Sequence, residues 1–404
     1  MTQNNKARQS AIVVGGGIGG LAAAQALAQQ NIEVLLLEQA KEIGEIGAGI
    51  QLGPNAFTAL DALGAGEAAR NRAVYTDSLT MMDAVDGKQI VRLETGEAFR
   101  KRFRNPYAVI HRVDIHQSIL EAVQGNPLIK FKTDTQIVRL EPEGKRVTVL
   151  DQDGNRYTAD AAIGADGGKS LVRALLIDDP PRITGHVVYR AVVDVENMPK
   201  ELQINAPVLW AGPHCHLVHY PLRGGRQYNL VVTFHSRQQE SWGVTDGSKE
   251  EVVSYFRGIH PLPFSMLHRP TSWRRWATAD RDAVPHWSFD RVTLLGDAAH
   301  PTTQYLAQGA CQALEDAVTL GMAVGETDGD FVEAFKIYEQ MRIPRAMRMV
   351  YSAREIGRLY HAKGVDRLIR NSLWVGRTQE QLYDSISWLY GWRAEDCLKG
   401  MRSS

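Results

Sequence analysis

The sequence lacks several features that would assign it to a class at once. Cysteine is scarce: 3 in 404 residues, at Cys215, Cys311 and Cys397. Three scattered thiols make neither a disulfide framework nor a thiolate metal centre, and they fit a reducing, cytoplasmic compartment. Charge of one sign is not in excess, with 46 Lys+Arg against 46 Asp+Glu. A basic footprint for nucleic acid is therefore missing. There is no internal repeat, no low-complexity stretch, no Gly-x-Ser-x-Gly elbow and no His, Cys or carboxylate cluster at metal-ligand spacing. The apolar run from Ala11 to Ala28 is broken by Gln25 and by five glycines between Gly15 and Gly20. Those glycines fit a turn and disfavour a membrane span or signal segment.

What is present is an ordinary globular composition, 44% hydrophobic and 23% charged, long enough for two or three domains. Glycine is plentiful at 36 residues, which points to close backbone approach. Ala11–Val14 reads as a buried parallel strand, Leu21–Gln29 as a helix and Ile32–Glu38 as the next strand. A second Gly-rich loop is expected over Glu45–Pro54, before a helix near Asn55–Leu63. Short strands without a clear helix are expected over 77–104, and a helix over His111–Val123. Antiparallel strands dominate from about 181 to 276, with a hairpin turn at Leu222–Gln227. The tail from Pro344 reads as helical and rich in aromatics. Leu382, Ile386, Leu389 and Trp392 recur at helical spacing and read as core or subunit contact. Trp273–Trp276 reads as a surface ladder.

Gly15-x-Gly17-x-x-Gly20, lying between a strand and a helix and followed by Glu38, is a dinucleotide fingerprint. Gly15 allows the turn, Gly17 lets a pyrophosphate touch the backbone, Gly20 lets helix and strand pack, and Glu38 can hold a ribose hydroxyl. The helix N-terminus supplies free N–H groups to the phosphates. This geometry serves NAD and FAD alike. Two further segments separate them: Gly164-Ala165-Asp166-Gly167-Gly168 through Arg173, and Leu295-Gly296-Asp297-Ala298-Ala299-His300-Pro301. They resemble the central DG and GD motifs of FAD-dependent aromatic hydroxylases, single-component flavoprotein monooxygenases, over nearly all of residues 10–345. The resemblance implies an α/β fold: a Rossmann-like FAD-binding domain, an inserted β-rich substrate domain and a helical C-terminal region. It puts the FAD-binding domain at 1–76, 105–180 and 277–345, the substrate domain at 77–104 and 181–276, and the helical region at 346–404. It implies that Asp297 binds the ribityl chain, that Asp166 lies near the pyrophosphate and that Arg112 contacts FAD. His300 reads as part of the turn after Asp297.

In such proteins reduced flavin and O2 form a C4a-hydroperoxide that attacks an electron-rich ring, so the site needs a base or relay at the substrate hydroxyl and a dry pocket. Alternation along Cys215–Leu222 puts His216, Val218 and Tyr220 on one face and Leu217 and His219 on the other. Gln304 lies in the loop after Asp297. By resemblance His216, Gln304 and Tyr220 are catalytic, and Tyr107 joins them in lining the substrate site. The implied reaction is hydroxylation of 3-hydroxybenzoate at C6, para to its hydroxyl, to give gentisate, with NADH as co-substrate. The expected partners are a small aromatic acid, O2 and NAD(P)H, in a homodimer. Decarboxylating hydroxylation of salicylate and 3-hydroxylation of 6-hydroxynicotinate stay open within the family. A flavin-binding protein without turnover or a nicotinamide-only dehydrogenase stays open outside it.

Overall fold

The architecture is that of a computed structural model, which describes residues 8–44 and 47–399. Glu45 and Ile46, in the expected second loop, lie outside the described residues.

Residues 10–28 are not one apolar span. They divide into the strand Ser10–Val14, a glycine turn and the helix Ile18–Ala28. No helix among the described residues is long and apolar enough to cross a membrane. The strand is central in a six-stranded sheet. It pairs in parallel with Glu33–Leu37 on one side and with Ala161–Gly164 on the other, and Ala161–Gly164 pairs in parallel with Val292–Leu294. Ile129–Lys132 and the antiparallel Ser288–Phe289 close the two edges. Near-continuous apolar strands suit this position because both faces are covered.

An eight-stranded sheet lies beyond it. Its order is Gly243–Gly247, Trp273–Asp280, Arg182–Asp194, Gln227–His235, Cys215–Leu222, Val208–Gly212, Ser78–Asp83 and Gln89–Glu94. All its pairings are antiparallel except Val208–Gly212 with Ser78–Asp83. The expected hairpin at Leu222–Gln227 joins two of these strands. One hydrophobic core lies under the six-stranded sheet and a second lies against the eight-stranded one. A small third cluster, including Val109, Val218, Tyr220 and Val231, packs where the two halves meet.

Several expectations need correction. Gly49–Leu52 is a strand rather than loop, paired antiparallel with Ala108–His111. Glu97–Phe103 is a helix inside the segment read as strands only. It is too short to hold itself together in water; Phe99 and Phe103 are buried against Tyr383 and Tyr390 of the tail, with ring centroids 5.7 to 6.1 Å apart. Trp273 is a core residue, not part of a surface ladder. Leu382 and Leu389, by contrast, are core as expected. The helix Phe331–Tyr360 runs through Pro344, so the expected boundary at 345/346 falls inside one helix and not in a linker.

A buried polar network fastens this long helix to the helix Gly309–Glu326. Arg342, 1% exposed, donates to Glu315 and Asp316 at 2.6 Å each, and both carboxylates are fully buried. Arg345 adds two bonds to Glu315, and Asn55 donates to it at 2.7 Å. Asp316 also accepts from His300 at 2.6 Å and from the Gly296 N–H at 3.0 Å. Burial alone would raise the Asp316 carboxyl, but His300 and Arg342 outweigh it and hold it at about 2. His300, expected in the turn, is thus the turn's tether. Truncating Arg342 to Met leaves two buried carboxylates short of a counter-ion, and breaking such a network costs about 3–5 kcal/mol. Equilibrium denaturation of Arg342→Met should show a loss of that size.

Candidate FAD and aromatic-substrate site

Three neighbouring parallel strands end together, and the chain leaves each of them at a predicted motif. Gly15 follows Val14, Asp166 follows Gly164, and Asp297 follows Leu294. The ladder continues into the loops: the Gly15 N–H donates to Leu37 O at 2.8 Å, Ala165 N–H to Val14 O at 2.8 Å and Leu295 N–H to Gly164 O at 2.9 Å. Ligands of parallel α/β sheets sit beyond such carboxyl ends. A cavity of about 1210 Å³ opens there and runs to the eight-stranded sheet. Ordinary small-molecule pockets hold roughly 300–1,000 Å³, so this one has room for a dinucleotide and a small ring together.

Gly15, Gly17, Glu38, Arg112, Asp166 and Asp297 all line the cavity, as do Tyr107, His216, Tyr220 and Gln304. Gly20 does not. It works one layer back: a Cβ there would sit 1.9 Å from the Gly15 carbonyl oxygen. Gly15 itself has φ +108°, which favours glycine. The helix Ile18–Ala28 starts at Gly17 with no side-chain cap, so its N-terminal N–H groups face the cavity wall as an anion site. Glu38 accepts from the Gly16 and Ala40 N–H groups at 2.6 and 2.7 Å, which fixes its carboxylate beside the glycine loop. Sequence reasoning missed His116, whose Nε2–H donates to Gly16 O at 2.8 Å and pins the loop from the other side.

Asp166 is held as a helix cap. It accepts from Ser170 Oγ at 2.5 Å and from the Leu171 and Val172 N–H groups at 2.8 and 3.1 Å. Burial nonetheless pushes its carboxyl up. Arg173, at the end of the same motif and 1% exposed, donates to the carbonyls of Ala298 and Ala299 at 3.0 and 2.7 Å. The DG and GD segments are therefore clamped to each other as well as to the sheet.

The opposite wall belongs to the eight-stranded sheet. His216, Val218 and Tyr220 face the cavity as alternation requires, while Leu217 faces the core behind. Gln304 donates through Nε2 to Thr233 Oγ1 at 3.1 Å, and Thr233 is the cross-strand partner of His216. That bond brings the loop after Asp297 against the sheet. Tyr220 packs on Gly49, where a Cβ would stand 2.5 Å from its ring, and Tyr107 donates to Gln51 Oε1 at 2.6 Å. The wall is dry. Burial, with help from His186, pushes His216 down to about 3, and burial raises the Tyr220 and Tyr107 hydroxyls far above their ordinary range. All three side chains are neutral near pH 7.

Two residues escaped the sequence reading, one in this wall and one behind it. Arg190 lines the cavity, and burial lowers its pKa. A lone arginine inside the apolar run Val187–Val193 was a legible signal. His361 was not legible: its Nε2 lies 2.8 Å from His216 Nδ1 across 145 positions.

The glycine cradle, the uncapped helix start and the size of the cavity fit FAD. Residues 8–353 match the family model described as FAD binding domain, and the chain belongs to that family. Within it, the chain is 66% identical over 389 residues to 3-hydroxybenzoate 6-hydroxylase of Klebsiella oxytoca, covering 96% of this chain and 98% of the relative. It is 61% identical over 395 residues to 3-hydroxybenzoate 6-hydroxylase of Polaromonas naphthalenivorans strain CJ2, covering 98% and 99%. Among solved structures it is similar to a salicylate hydroxylase substrate complex, with TM-score 0.82, 26% identity and 98% of each chain covered.

The glycine contact gives a direct test. Gly20→Ala forces the loop and helix apart, since no carbon atom can approach a carbonyl oxygen to 1.9 Å. The variant should purify with much of its flavin absorbance at 450 nm missing and should retain added FAD at least ~10-fold more weakly; full retention would show that the loop does not cradle the cofactor.

Proposed function

We propose that this chain is an FAD-dependent monooxygenase that hydroxylates 3-hydroxybenzoate para to its hydroxyl, giving gentisate, with NADH and O2 as co-substrates. One observation carries the reading beyond the likeness to its relatives: His216, Tyr220 and Gln304 gather on the dry wall that faces the glycine cradle across a single cavity. In this reading Gly15, Gly17, Gly20, Glu38, Arg112, Asp166 and Asp297 hold FAD. Residues 77–104 and 181–276 carry the substrate side, and the segments around them carry the cofactor side. Bound FAD supplies the electron transfer and the activation of O2.

The chain's own residues handle position and protons. A neutral phenol is a poor partner for an electrophilic oxygen and a phenolate a good one. His216 has one ring nitrogen engaged by His361, which leaves Nε2 to accept from the substrate hydroxyl. Burial disfavours its imidazolium, so His216 orients and polarises the phenol through that hydrogen bond and does not store its proton. Gln304 uses its amide N–H on Thr233, so its carbonyl oxygen is the acceptor that remains. Tyr220 stays protonated and donates to the ring substituent. Arg190 gives the cavity a positive potential that draws in a carboxylate. Regiochemistry follows from the ring, because a phenolate donates density to its ortho and para carbons and C6 is para to the 3-hydroxyl. The wall need only present C6.

A panel of hydroxybenzoates scored for NADH consumption with product identification tests this. 3-Hydroxybenzoate should give the highest turnover, with 2,5-dihydroxybenzoate as product; faster turnover of salicylate with release of CO2 would overturn the assignment. His216→Ala should lower hydroxylation by roughly 10²-fold or more while NADH oxidation continues and yields H2O2. Unchanged rate and coupling would remove His216 from the mechanism.

The same reading makes the protein a cytoplasmic homodimer. The support is an unpartnered apolar face near the C-terminus, where Val365, Leu368, Ile369, Leu373 and Val375 are 40–77% exposed. A patch of this kind is an ordinary sign of association. Light scattering should give twice the 44.9 kDa chain mass, and Leu368→Glu should shift it towards the monomer.

A further inference from the structure

Five of the chain's 12 histidines, His186, His214, His216, His235 and His361, lie side by side behind the substrate wall. Spacing in the sequence hides this group, since its members come from three strands, the turn that leads into one of them and the end of the long helix. His186 and His235 are cross-strand partners with ring centroids 4.1 Å apart. His361 is brought to them by the backbone: the His214 N–H donates to His361 O at 3.0 Å, and the His235 N–H donates to His214 O at 3.0 Å. One ring nitrogen from each of His186, His235 and His361 lies within 4.8 Å of the others.

We propose that His186, His235 and His361 form a binding site for a divalent transition-metal ion such as Zn²⁺, and that an ion held there fixes the tautomer of His361 and so governs His216. The second half rests on the role proposed above for His216; the first does not.

The donor set is right for such an ion. Three imidazoles with no carboxylate among them suit Zn²⁺, Cu²⁺ or Ni²⁺ and offer little to Mg²⁺ or Ca²⁺. Each ring has a nitrogen to give. His361 is 5% exposed, and its Nδ1 is a buried polar atom without a hydrogen-bond partner. Its other nitrogen faces His216. The Tyr305 hydroxyl lies 2.5 Å from His186 Nδ1, which leaves Nε2. Metal-bound histidines ordinarily have such a partner on the second nitrogen, which sets ring orientation and tautomer. Burial lowers all three rings' pKa values and so keeps them neutral, the form that binds metals. Tetrahedral bonds of about 2.0–2.1 Å put ligand nitrogens roughly 3.3 Å apart, so the three must close by about 1.5 Å at most. His235 is exposed and can supply that movement, and it leaves a path for the ion and a position open to water.

The consequence for the site is a matter of protons. A metal on Nδ1 of His361 puts that ring's proton on Nε2, where it donates to His216 Nδ1. His216 then carries its own proton on Nε2, the atom that should accept from the substrate. The ion binds by displacing water, with no redox change, and its effect is to turn an acceptor into a donor.

Tag-free holoenzyme, freed of metal by chelator and dialysed, is titrated with ZnCl2 by calorimetry. One Zn²⁺ per chain is expected. His235→Ala, at an exposed position, should weaken binding at least ~10-fold while leaving metal-free turnover unchanged, and His235→Cys should restore binding because thiolate is also a zinc ligand. In the same samples Zn²⁺ should suppress 3-hydroxybenzoate-stimulated NADH oxidation in the wild type and spare it in His235→Ala. Equal Zn²⁺ binding by wild type and His235→Ala overturns the site. Binding that depends on His235 but leaves turnover untouched overturns the link to His216. The calorimetry needs no turnover, so a wrong substrate assignment cannot be mistaken for a missing metal site.

Discussion

Everything at the site hangs on a run of backbone hydrogen bonds in parallel register. Ala11 stands between Val34 and Ala161, and Gly164 stands beside Leu294. That register forces three chain segments, separated by more than 100 positions each, to leave the sheet at the same edge. Slipping one strand by a residue would turn its side chains to the other face and move its loop out of line. The remaining contacts guard the alignment: Gly20 lets the first helix lie on the Gly15 carbonyl, Arg173 ties the second loop to the third, and Asp316 takes the Gly296 N–H from behind. None of these touches a ligand, yet each fixes where a ligand-facing group stands.

The two walls of the cavity differ in their electrostatics, and the difference suits two kinds of guest. The sheet end offers N–H groups, an uncapped helix start and anchored carboxylates, a surface for phosphates and ribose. The eight-stranded sheet offers a hydroxyl and an imidazole that burial keeps neutral, joined by the Gln304 amide from the facing loop, a surface for a ring with an ionisable oxygen. Water would blur the second surface, because solvation would restore ordinary pKa values there. Core clusters packed behind both walls, and the small cluster of Val109, Val218 and Val231 between them, make the dryness a property of the fold.

The parts legible in the sequence were those whose cause is local. The glycine turn is dictated by φ and by contact distance, so Gly15, Gly17 and Gly20 announce it, and alternation along Cys215–Leu222 assigns His216 and Tyr220 to one face before any fold is known. What was not legible depends on partners far along the chain. The helix Glu97–Phe103 exists because Tyr383 and Tyr390 cover its phenylalanines. The strand Gly49–Leu52 exists because Ala108–His111 is beside it, in a stretch whose glycines argue for loop. The network of Arg342, Glu315 and Asp316 reads in sequence as ordinary polar residues on two helices. His361 reads as a helix-end histidine.

The division of labour between the walls also bears on how specificity can vary in this architecture. Residues that set the cofactor's place are tied into the parallel sheet, where a change propagates to all three loops. His216, Val218 and Tyr220, on the facing wall, stand on an antiparallel strand, whose cavity-facing side chains can be exchanged with the ladder intact. Gln304 is the exception, because it belongs to the cofactor-side loop but bonds to Thr233 on the sheet. A change at Val218 or Leu209 alters the sheet wall alone, whereas a change at Tyr220, which packs on Gly49, or at Gln304 alters the seam between the two halves. The sheet wall can thus change shape with its ladder intact, while Gln304 ties the two halves of the cavity together.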